Sequence, residues 1–139
     1  MIQNWIDPVE FASFLVRVLA GLLFFFQGYD KVFRIGIQGV TEAIGPSYKR
    51  AGLPDFVVAM ISFLTSWIEF LGGFCLILGL FKYTMVYLLG IDLLIVAAGM
   101  SMIDPVWDLK LLFPRVILLL FLLLMPAESD ILSLDHLIF

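Results

Sequence analysis

Cysteine and histidine each occur once in the 139 residues, and only 14% of the chain is charged. Dithiol exchange needs two thiols within reach of one another, so the lone Cys75 excludes a self-sufficient thiol–disulfide enzyme. Between Phe74 and Leu76 it reads as a small buried hydrophobe. His136 has no second histidine or metal-ligand companion, so there is no haem or metal signature. Gly-rich phosphate loops and a Ser-His-Asp set are also missing, and with them any complete catalytic constellation. Basic patches are absent too: the net charge is −4 and the acids lie mainly in loops and tails, which excludes nucleic-acid binding. The opening Met1-Ile2-Gln3-Asn4-Trp5-Ile6-Asp7 lacks the basic region and cleavage site of a secretory signal, so the first helix is expected to stay in the mature protein.

What the chain has in abundance is apolar surface. Hydrophobic residues make up 63% of it, with a mean hydropathy of +1.10. A soluble domain of this size cannot hide so much. A bilayer-crossing helix needs about 20 mostly apolar residues, and four runs qualify, roughly 9–31, 55–80, 83–103 and 109–127. The expected fold is an all-α membrane protein, a four-transmembrane-helix up-down-up-down bundle forming a single domain over residues 1–139, with the lipid bilayer as its first partner.

Local signals place the ends of these helices. Asp7-Pro8-Val9-Glu10 is a start signal, with an Asp cap, Pro at the first position and an acid in the first turn. Asp104-Pro105 repeats it before the fourth helix. In the long connection 32–54, Ile37, Val40 and Ile44 recur at spacings of three and four, which predicts a short interfacial helix ended by Gly45-Pro46. Helices two and three are joined only by Phe81-Lys82-Tyr83 and should form an antiparallel hairpin. The termini and that turn share one side and hold Lys82 alone, whereas the other side holds Lys31, Arg34, Lys49, Arg50 and Lys110. The positive-inside rule therefore puts both termini outside.

The informative residues are the charges within the apolar runs. An ionisable group at bilayer depth costs several kcal/mol unless it faces the bundle interior and finds a partner. Glu69, in the middle of the second run, thus defines an inside face, shared with Ser62, Ser66, Gly73 and, further round, Gly72 and Gly79. On the first helix Arg17, Gly21, Phe24, Gly28 and Lys31 share one sector and should meet it. The interior is expected to collect Arg17, Gly21, Gly28, Glu69, Gly73 and Asp92. Arg17, Glu69, Asp92 and Arg115 sum to zero charge. At about 1.5 Å per residue, Arg17 and Arg115 lie roughly 6 Å to either side of the two acids, and Arg17 is expected to pair with Glu69. Two readings stand side by side: ion pairs that fix helix register, or a binding or proton-handling site to which Gln27 and Trp67 would add a polar and an aromatic group.

Several of these residues fall into a pattern. Arg17 with Gly21-Leu22-Leu23-Phe24, Gln27-Gly28-Tyr29-Asp30-Lys31, Gly52-Leu53-Pro54, Glu69-Phe70-Leu71-Gly72-Gly73, Leu78-Gly79-Leu80 and Leu132-Ser133-Leu134-Asp135 together resemble the motifs of the DoxX-like family of small four-helix membrane proteins. Gly28, Lys31, Glu69, Gly73, Ser133 and Asp135 are the motif positions. The chain departs from the family's Gly-x-Gly in having Glu128-Ser129-Asp130 before the last motif. The resemblance implies a role in a membrane redox assembly, because members are linked to a thiosulfate:quinone oxidoreductase and to complexes with oxidative-stress enzymes. More distant relatives are chaperones and cargo receptors, which implies the alternative of an assembly factor binding client membrane proteins. The first role makes the chain an accessory subunit, non-catalytic by itself, in a bacterial inner membrane, with a larger complex as partner and a quinone or lipid as ligand. A membrane subunit of a thiosulfate:quinone oxidoreductase-like enzyme is a further alternative.

Overall fold

A computed structural model describes residues 6–104 and 112–139, and among these every regular element is helical. Pro105 of the expected Asp104-Pro105 helix start, residues 106–111 with Lys110, and the terminus 1–5 lie outside the described residues. Helix α1 runs Pro8–Tyr29 and continues as a π-helical turn, Asp30–Arg34. Helix α2 (Ile37–Arg50) leads to α3 (Asp55–Leu78) and α4 (Lys82–Ile103). Then come α5 (Leu112–Leu124), a 3-10 turn (Ala127–Ser129) and a short α6 (Leu134–Ile138).

The sequence signal at α1 works as read. Asp7 accepts from the Val9 N–H, and Glu10 accepts from the Asp7 N–H, closing a capping box. The α3–α4 hairpin closes with Gly79 at φ 72 and Phe81 at φ 49. Gly79 is required twice over, because a Cβ there would also lie 2.6 Å from Ser133 Cβ.

One expectation about extent needs correction. Helix α2 does not stop at Gly45-Pro46 but runs on to Arg50. Proline inside a helix costs about 3 kcal/mol, and burial of the Tyr48 ring, next to Gly99 of α4, offsets that cost. Within the expected fourth span, 109–127, the described helix α5 ends at Leu124, since Pro126 cannot continue it. Among the described residues three helices are long and apolar enough to cross a membrane, and α5 is a shorter apolar one.

Helix α1 packs along α3, with α4 and α5 closing the other side. The core is Ala20, Phe24, Leu76, Val86, Leu89, Leu93, Leu119 and Leu122. Outward-facing Phe26, Phe63, Leu71 and Leu94 are exposed, as residues that contact acyl chains should be.

Candidate functional site

The approach of α1 to α3 decides which charges meet. Gly28 lies against the backbone of Glu69 and Phe70, and Gly73 against that of Phe25. These contacts fix the slide of one helix along the other. Arg17 is eleven residues from Gly28, about 16 Å along the axis, and therefore sits at the far end of α3. The expected Arg17–Glu69 pair is not formed. Lys31 takes that place: its Nζ donates to Glu69 Oε2 at 2.7 Å, with Glu69 almost wholly buried. Lys31 belongs to the π-helical turn, a type of distortion found at functional sites more often than chance allows.

Around this pair lie further polar groups. Asp92 of α4 is fully buried, within the electrostatic reach of both Glu69 and Lys31, and neither of its oxygens has a hydrogen-bond partner among the described residues. Arg115 of α5 acts on Glu69 through its charge, and its Nε is likewise unpartnered among those residues. Asp92 and Arg115 form no ion pair with each other among the described residues. Gln27 Oε1 and Trp67 Nε1 are also buried without partners among the described residues, and the Trp67 ring meets Phe33 and Phe70 edge-on. Lys31, Arg115, Glu69 and Asp92 sum to zero, so the expected neutral set exists with Lys31 in place of Arg17.

Next to this cluster a cavity of about 390 Å³ opens between α2, α3 and α4. Lys31 is the charged residue in its wall, with Tyr48, Ser62 and Thr65, and apolar side chains such as Val40, Ile44 and Val96 form the rest. The hydroxyls of Ser62 and Thr65 donate back to α3 carbonyls, so they turn acceptor lone pairs outward.

A second buried cluster holds Arg17. Its Nε donates to Asp130 Oδ1 at 3.1 Å, and its two other nitrogens to the carbonyls of Leu76, Ile77 and Leu132 at 2.7–3.0 Å. Leu76 and Ile77 lie in the last turn of α3, where carbonyls lack an i+4 donor; the guanidinium donates to Ile77 and is a second donor to Leu76, which also accepts from the Gly79 N–H. The motif residues of the tail meet here. Ser133 caps α6 by accepting from the His136 N–H and itself donates to the Asp130 carbonyl. Asp135 donates its N–H to the Gly79 carbonyl and accepts from the Lys82 N–H. Sequence reasoning missed Asp130, which stands where the chain departs from the tail pattern. A carboxylate next to the apolar Ile131-Leu132 was the available signal. Cys75 is half-buried and free.

Apolar helices of spanning length, enclosing charges that neutralise one another, define an integral membrane protein. The chain belongs to the DoxX family, whose model matches residues 12–102 and so covers α1 to α4. No curated protein and no solved structure matches it.

Proposed function

We propose that this DoxX protein is an accessory subunit of a membrane redox assembly, non-catalytic by itself, which contributes a binding cavity for a quinone-sized molecule. The observation that carries this reading is the 390 Å³ cavity with Lys31 in its wall, a volume within the range of small-molecule sites, about 300–1,000 Å³. One N–H of the Lys31 ammonium is engaged by Glu69; the other two can donate to a ring carbonyl. The apolar walls suit the body of a lipid-soluble molecule, and α2 covers them from the interface.

Purification of the native protein in mild detergent should bring down one stoichiometric redox partner. Several substoichiometric client proteins would instead make it an assembly factor, and thiosulfate-dependent quinone reduction by the purified assembly would make it the membrane subunit of an oxidoreductase. With a short-chain quinone as probe, Lys31→Met should weaken binding roughly tenfold, the value of one hydrogen bond to a charged group. Unaltered binding would remove the cavity from the reading.

The same proposal takes α5 as belonging to the fourth span of an up-down-up-down bundle in a bacterial inner membrane, termini outside. Lys82 is buried, whereas Arg34, Lys49 and Arg50 are exposed, which supports taking the connection between α1 and α3 as the cytoplasmic side. Reporter fusions to the two ends should therefore give the same extracytoplasmic signal; opposite signals would rule out four spans.

A further inference from the structure

At the other end of the bundle from Lys31, the α3–α4 turn and the tail enclose a polar recess of about 230 Å³, lined by Lys82, Tyr83, Asp130, Asp135, His136 and Phe139 among others. Lys82 is only 5% exposed. Its Nζ lies 3.7 Å from Asp130 Oδ2 and 5.2 Å from the Tyr83 ring centroid, and it has no hydrogen-bond partner among the described residues. Each carboxylate has one committed oxygen. Asp130 Oδ1 is held by Arg17 and Asp135 Oδ2 by the Lys82 N–H, while Asp130 Oδ2 and Asp135 Oδ1 are unbonded among those residues. Buried donors and acceptors left open in this way are costly, so a ligand able to bond both kinds would be held here.

Charge selects the ligand. The Arg17 nitrogens are all committed to Asp130 and to carbonyls. A plain anion would gain Lys82 but face two carboxylates, and a plain cation would gain the carboxylates but face Lys82. A zwitterion answers both. We propose that the recess binds a phosphoethanolamine headgroup, whose phosphate oxygens accept from Lys82 Nζ and whose primary ammonium donates to Asp130 Oδ2 and Asp135 Oδ1. A primary ammonium brings three N–H donors, whereas the trimethylammonium of choline brings none. The source is a phospholipid: the recess lies where α3 and α4 leave their apolar spans, beside Leu137, Ile138 and Phe139, which are 77%, 62% and 90% exposed.

The test uses the full chain in detergent, titrated with short-chain phosphatidylethanolamine, phosphatidylcholine, phosphatidylglycerol and free O-phosphoethanolamine, with bound lipid read by native mass spectrometry. The ethanolamine lipid should bind at least about tenfold more tightly than either other lipid, as expected for one hydrogen bond to a charged group. Lys82→Met, which removes the phosphate contact, should weaken binding of the ethanolamine lipid about tenfold, whereas Asp135→Asn should reduce its preference over the choline lipid. Equal retention of the choline lipid would overturn the proposal, as would stronger binding of the glycerol lipid or no binding of any of the three. Free O-phosphoethanolamine binding as tightly as the lipid would overturn the lipid source. The headgroup ranking of the unaltered chain decides the matter even where Lys82→Met folds poorly.

Discussion

Alanine at Gly28 or Gly73 should destabilise the protein by about 3 kcal/mol, the upper end of the usual overpacking range. At Gly28 an added Cβ would overlap the Phe70 backbone, lying 2.5 Å from Phe70 Cα and 2.8 Å from the Glu69 carbonyl carbon. At Gly73 it would overlap the Phe25 backbone and lie 2.7 Å from the Gly21 oxygen. These are backbone atoms of the facing helix, so no side chain can turn aside and the two helices must separate. Gly90 is an internal control, because a Cβ there meets nothing within 4 Å. Thermal unfolding in detergent should show a large fall in Tm for Gly28→Ala and Gly73→Ala and none for Gly90→Ala. Equal falls at all three would mean that loss of glycine itself, and not close helix approach, sets the cost.

These glycines also explain which parts of the fold and site were legible in the sequence. Apolar run length located α1, α3 and α4, and the cost of burying a carboxylate placed Glu69 inside, because both depend on composition alone. Helical periodicity put Arg17, Gly21, Gly28 and Lys31 on one face, and the face is correct. What periodicity cannot supply is the axial slide between two helices, since every slide keeps the same faces in contact. The slide depends on where a backbone can approach another closely, a property of Gly28 and Gly73 with their particular neighbours. It moved Lys31, not Arg17, opposite Glu69. The π turn at Asp30–Arg34 left no periodic signature either, because one added residue per turn is lost in five residues of mixed polarity. Asp130 was hidden for a different reason: its partner is 113 residues away, and nothing local demands it. Tyr48 carried α2 past Pro46 through a tertiary contact that local helix-stop signals do not register.

Separating the two charge clusters gives the other large effect. Arg17→Met would leave Asp130 buried beside Lys82 alone, remove the Arg17 donor from the carbonyls of Ile77 and Leu132, and leave the Leu76 carbonyl with the Gly79 N–H only. Removing one member of a buried pair typically costs about 3–5 kcal/mol, and the loss should appear together with protease sensitivity of the tail after Met125. Asp130→Asn should be comparably harmful, while the double variant Arg17→Met/Asp130→Asn should be less unstable than the sum of the two, with a coupling of about 1–3 kcal/mol. Glu69→Gln tests the other end of the bundle. It should couple with Lys31→Met, its 2.7 Å partner, and add to Arg17→Met to within about 0.5 kcal/mol, because the two sites share no contact. Strong coupling between Arg17 and Glu69, with none between Lys31 and Glu69, would mean that α1 has slid along α3 and that the glycine contacts do not set the register. Additivity of Arg17 and Glu69 would instead mean that the tail clasp and the cluster around Glu69 are independent units. The bundle end could then be disrupted without emptying the cavity beside Lys31, and ligand binding there should survive Arg17→Met in any preparation that remains folded.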